Sequence, residues 1–132
     1  MSVLLSPPEL ALRPGETGGL AIVLVGAQDL EWVELSLTWD GAVAEMSDAK
    51  AGSLLTLDGV PVAAARTLES GRARVRFTRP AGTSGSGAVA ALTFRGLAPG
   101  SGALVVESVA VGKAGAAVPL VPPGPGRIVV VE

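Results

Sequence analysis

The sequence predicts an all-β, antiparallel sandwich of about nine strands in a single domain spanning 1–132. Three observations carry this. Glycine and proline, 18 and 10 of the 132 residues, fall as breaks between short apolar runs and are not pooled in one linker. Residues 32–40 alternate strictly: Val33, Leu35, Leu37 and Trp39 lie on one side, and Trp32, Glu34, Ser36, Thr38 and Asp40 on the other. That period of two belongs to a strand with one face on a core and one in solvent. No stretch of ten or more residues carries a helical period. The length suits one domain, and 48% hydrophobic residues give it a core to bury.

In chain order, the break at Ser6-Pro7-Pro8 precedes a short strand over 9–13, which Pro14-Gly15-Glu16 ends as a turn. Residues 19–25 are a continuous apolar run, read as a strand buried on both sides. The alternating strand 32–40 follows. Residues 41–50 fit either a short strand or one helical turn. Residues 52–59 form an apolar stretch closed by the turn pair Asp58-Gly59. A weak strand over 62–68 leads through Glu69-Ser70-Gly71 into 72–78. There Ala73, Val75 and Phe77 point one way and Arg72, Arg74 and Arg76 the other. Residues 79–87, with Pro80, Gly82, Gly85 and Gly87, read as a loop. Strands are expected over 88–95, 103–111, 118–120 and 127–131, separated by turns at Pro99-Gly100 and at 122–126.

Composition narrows the function. Cysteine and histidine are absent, and so is tyrosine. The usual nucleophiles, general bases and thiolate metal ligands are therefore missing. The one simple hydrolase left open uses two carboxylates. Asp40 and Asp58, at strand ends, are its candidates, or else they cap turns. Calcium would need several oxygen ligands brought together. Asp29/Glu31 and Asp40/Glu45/Asp48 are fragments of such a set, though neither has the alternating acid pattern of a dedicated loop. Gly82 to Gly87 has the composition of a phosphate-binding loop but no following lysine or helix. The chain is expected to be no enzyme and to carry no cofactor or metal.

A net charge of −2 offers no dense basic surface for nucleic acid. Short apolar pieces interrupted by Pro7, Pro8 and Glu9 make no signal peptide of residues 1–12. No run reaches the roughly 18 apolar residues of a membrane helix, so membrane insertion is not expected. Half of the ten cations, Arg66, Arg72, Arg74, Arg76 and Arg79, fall within 66–79. They form either a solvated, aggregation-resistant face or a docking surface whose guanidiniums meet carboxylates in bidentate fashion. Trp32, on the outer side of its strand, is either a binding anchor or lies covered at the sandwich end.

The ordered motifs resemble the cohesin-like family over residues 9 to 131. Arg13-Pro14-Gly15-Glu16 resembles that family's early turn. Glu34-Leu35-Ser36-Leu37-Thr38-Trp39-Asp40 is similar to its strand ending in an aromatic–Asp pair, and Ala51-Gly52-Ser53-Leu54-Leu55 to the element that follows. Residues 85–94 resemble its Gly-rich lead into a strand ending in Phe94, and Pro99-Gly100-Ser101-Gly102 with residues 126–131 complete the order. The variant looks most like cohesin-like modules of secretins in bacterial type II secretion systems.

The resemblance implies a jelly-roll-like sandwich and a protein-binding role, with a dockerin-like or secretion-system partner and an extracytoplasmic setting. It implies a partner face made of the family's strands 3, 5, 6 and 8. Here that face carries Trp32, Glu34, Ser36 and Thr38 together with Arg72, Arg74 and Arg76. A carbohydrate-binding module and a spacer without a ligand are the alternatives. With aromatics at only 3% of residues, a sugar-stacking platform is hard to build.

Overall fold

The computed structural model describes residues 2–6, 8–56, 59, 61–113, 116–120, 122–124 and 126–131. Among them are nine strands and one helical turn. In order these are β1 (Ser2–Ser6), β2 (Glu9–Leu12), β3 (Thr17–Thr38), β4 (Ala44–Ala51), α1 (Ser53–Thr56), β5 (Ala63–Glu69), β6 (Arg72–Gly96), β7 (Gly100–Lys113), β8 (Ala116–Leu120) and β9 (Gly126–Val130).

Two long strands organise the sandwich. β3 and β6 run antiparallel along almost their whole length, from Thr17 opposite Arg95 to Thr38 opposite Arg72. Their ladder slips between Ile22 and Val23 and at three further places up to Trp32. The slip at Ile22/Val23 sets two residues of β6 against one step of β3, as a bulge does, and such irregularities bend a strand and increase its twist. Gly26, Gly85 and Asp29 take positive φ of 77°, 125° and 49° in this bent middle. Beyond it, one half of the pair lies in each layer.

In the front layer, residues 32–38 of β3 pair with 72–78 of β6 on one side and with 105–112 of β7 on the other; β5 adds an edge beyond β6, and β8 pairs outside β7. In the rear layer, β1 pairs with residues 21–25 of β3, and β4 pairs with residues 90–96 of β6. The start of β7 pairs with β9, and β9 with β2. The β2–β9 pairing is parallel, an exception to the antiparallel pattern expected.

Alternation in both layers feeds one core. Leu20, Ile22, Leu24, Ala90, Leu92 and Phe94 come from the rear, and Val33, Leu35, Leu37, Ala73, Val75 and Phe77 from the front, all buried. Trp39 meets Phe94 edge to face, with ring centroids 5.2 Å apart. Its indole Nε1 donates to the Ala44 carbonyl at 2.9 Å, which satisfies the polar edge of an otherwise apolar residue.

Four expectations are corrected. Residues 79–87 are strand, not loop: β6 continues through them, with Thr83 opposite Leu30 and Gly85 opposite Ala27. Their glycines allow the bend between layers and do not end the strand. The separate strands expected over 19–25 and 32–40 are one continuous β3. Residues 2–6, given no element by the sequence reading, form β1. Residues 19–25 also show alternating burial, with Ile22 and Leu24 buried and Val25 exposed, so that run has a single core side. The two-way reading of 41–50 resolves as β4, and 52–59 holds the single turn α1. Asp58 and the Pro125 part of the 122–126 turn lie outside the described residues.

Candidate functional site

The predicted face forms as the alternation requires. Arg72, Arg74 and Arg76 are exposed, while Trp32, Glu34, Ser36 and Thr38 are half-buried on the same outer surface. Register sets them in rows across four strands. One row reads Ala65, Arg76, Glu34, Ala110; the next reads Thr67, Arg74, Ser36, Ser108; the third reads Glu69, Arg72, Thr38, Val105. All seven residues expected at the site are therefore brought together.

Their roles divide. The Arg76 guanidinium lies 4.6 Å from the Trp32 ring centroid, over its face, and Nη1 donates to Glu34 Oε2 at 3.4 Å. Cation, ring and carboxylate thus hold one another, and Arg76, a neighbour on the same face, covers part of the half-buried Trp32. Arg72 and Arg74 make no ion pair or side-chain hydrogen bond among the described residues. They border an open depression of about 410 Å³ whose other walls are Ser36, Thr67, Glu69 and Glu107.

Thr67, Glu69 and Glu107 were not anticipated. β5 is exposed along its whole length, so it offers no burial contrast to betray its outer side. Glu107 sits where the β3–β7 register slips between Ser36 and Leu37, which puts it out of phase with simple alternation. The site is polar on a rigid sheet, with cations along β6 and acids to either side.

The other arginines of the cluster do not join the face. Arg66 lies on the inner side of edge strand β5. It donates to Asp48 Oδ1 at 2.8 Å and to the Ala49 carbonyl, tying β5 to β4 across the open side of the sandwich. Arg79 is buried, 3% exposed, and donates Nη1 to the Leu55 carbonyl at 2.8 Å and Nε to that of Ala81. It anchors α1 against β6.

Nor do the acids considered for calcium come together. Asp48 pairs with Arg66 and Lys50, Glu45 with Arg95, and Asp40 Oδ1 accepts from the Ala42 amide at 2.9 Å as a turn cap. No group of three acids placed to hold a metal is found among the described residues. In the Gly82–Gly87 stretch, the Ser84 and Ser86 hydroxyls accept from the Asp29 and Gly26 amides, holding the bent ladder together. No helix among the described residues is long and apolar enough to cross a membrane.

The fold is that of cohesin domains. A non-cellulosomal cohesin from the archaeon Archaeoglobus fulgidus superposes with a TM-score of 0.79 at 20% identity, over 99% of this chain and 91% of that one. A type II cohesin domain from the cellulosome of Acetivibrio cellulolyticus gives 0.74 at 16% identity, over 96% and 92%. A type I cohesin–dockerin complex from Clostridium thermocellum gives 0.74 at 12% identity, over 98% of each chain. At these identities the likeness concerns the fold. No family model matches the sequence. The comparison with curated proteins yields no match.

Proposed function

We propose that this chain is a non-catalytic protein-interaction module that docks a partner as a rigid body on the outer face of the front layer. The observation that carries the reading is that Arg72 and Arg74, unpaired among the described residues, border an open depression on a preformed sheet surface. Charges left without partners on such a surface favour complementary encounter and fix register. The cohesin fold supports the same role, since one similar structure is a cohesin bound to a dockerin. The partner is a dockerin-like protein or a secretion-system component, met outside the cytoplasm on an exported parent protein.

A polysaccharide ligand is less well supported. Trp39, Phe77 and Phe94 are buried, so Trp32 alone of the four aromatics reaches the surface, beneath Arg76. Stacking a sugar chain asks for several coplanar rings.

The test is capture from envelope extract by the immobilised chain, in parallel with an R72E/R74E variant. Arg76 is left in place because a glutamate there would oppose Glu34. The expected result is a partner retained by the parent chain and lost by the variant, with melting temperatures within a few degrees. Equal retention by both would remove the front face from the docking reading. Trp32 emission altered by a soluble polysaccharide would instead favour the carbohydrate alternative.

A further inference from the structure

We infer that the docking face selects an acidic segment, seating a pair of carboxylates over Arg72 and Arg74; this rests on the docking role proposed above. Of the three arginines in the β6 stripe, Arg76 is already held by Glu34 and Trp32, so the stripe offers two cations without a partner among the described residues. Being two residues apart on one strand, they stand roughly 6–7 Å apart. Carboxylates at i and i+4 of a helix, whose Cβ atoms are about 5–6 Å apart, match that spacing. So do those at i and i+2 of a strand, roughly 6–7 Å apart.

The surroundings sharpen the match. Ser36 and Thr67 stand either side of Arg74 in the same row and bring hydroxyl donors to the floor of the depression. A carboxylate there receives a forked guanidinium bond and a hydroxyl bond together. Glu69, one strand away on β5, and Glu107, on β7, line the two flanks. Acids at those places repel further negative charge. The complementary segment therefore has its acids in the centre and lysine or arginine at the sides. The same flanking acids, with a net charge of −2, disfavour a polyphosphate chain.

The test is an NMR titration of the intact chain with hexaglutamate, hexalysine and inorganic phosphate. Hexaglutamate is expected to shift the Arg72 and Arg74 Nε–H signals and the Ser36 and Thr67 amides saturably, with Arg76 less affected. Raising NaCl should weaken the effect. R72Q/R74Q should cut the affinity about tenfold, and E69Q/E107Q should raise it severalfold.

Four outcomes overturn the inference: no shift at millimolar hexaglutamate; an equal response to hexalysine; the full pattern with phosphate alone; or concentration-dependent shifts without peptide, which would assign the arginine pair to Glu107 of a second copy. The two proposals can fail separately. A captured partner that R72E/R74E loses but hexaglutamate does not displace leaves the docking role standing and removes the acidic segment. Hexaglutamate binding with a partner captured equally by R72E/R74E does the reverse.

Discussion

At the scale of single residues, parity along β6 explains both the face and its surprise. Residues 73, 75, 77 and 79 share the inward side, so Arg79 occupies a core position on the strand whose even-numbered neighbours reach solvent. Nearness in sequence groups Arg79 with the exposed stripe, whereas its parity with 73, 75 and 77 places it inside. Burying a guanidinium is tolerable because carbonyls of Leu55 and Ala81 accept from it. Arg79→Ala should leave those carbonyls bare and cost about 2–4 kcal/mol. Thermal unfolding monitored by circular dichroism should show this as a drop of about 10 °C. The two tryptophans offer a second check. In Trp39→Phe the remaining Trp32 should emit at longer wavelength and be quenched readily by acrylamide, whereas in Trp32→Phe the buried Trp39 should emit further to the blue and resist quenching. Similar spectra from the two variants would contradict the in–out assignment of the strand.

Among the elements, those with a strong local signal were legible and those shaped by a partner were not. The rows bearing Glu34, Ser36, Arg74 and Arg76 follow from a period of two that any strand obeys. The middle of β6 is ambiguous from sequence alone because glycine-rich composition suits both a loop and a bent strand. What decides between them is pairing with residues 27–30 of β3, more than fifty positions away. Glu69 and Glu107 carry no local signal for other reasons: one lies on an edge strand without burial contrast, the other at a register slip. Gly52 shows how tightly such elements meet: a Cβ there would fall 2.3 Å from the Ala88 carbonyl oxygen, against fixed backbone of β6. Gly52→Ala should push α1 away from β6 and destabilise the fold by about 1–3 kcal/mol, measurable by urea denaturation. The Arg66–Asp48 bridge between β5 and β4 is partly exposed, with side chains 44% and 32% accessible. A double-mutant cycle on that pair should therefore return less than about 1 kcal/mol.

For the molecule as a whole, the cohesin-like resemblance and the sandwich were visible in the order of motifs, while the layer-crossing of β3 and β6 was not. Because both layers feed one cluster of buried residues among those described, unfolding should be a single transition. Tryptophan fluorescence and far-ultraviolet circular dichroism should trace coincident denaturation curves; separated midpoints would indicate layers that melt independently. The continuity of the two long strands has a mechanical consequence. Front and rear are joined by covalent chain through the bend as well as by contact across the core, so the layers cannot slide past one another like stacked plates. A push or pull on the front surface is therefore carried to the back of the molecule along the backbone itself, and not only through side-chain contacts in the core.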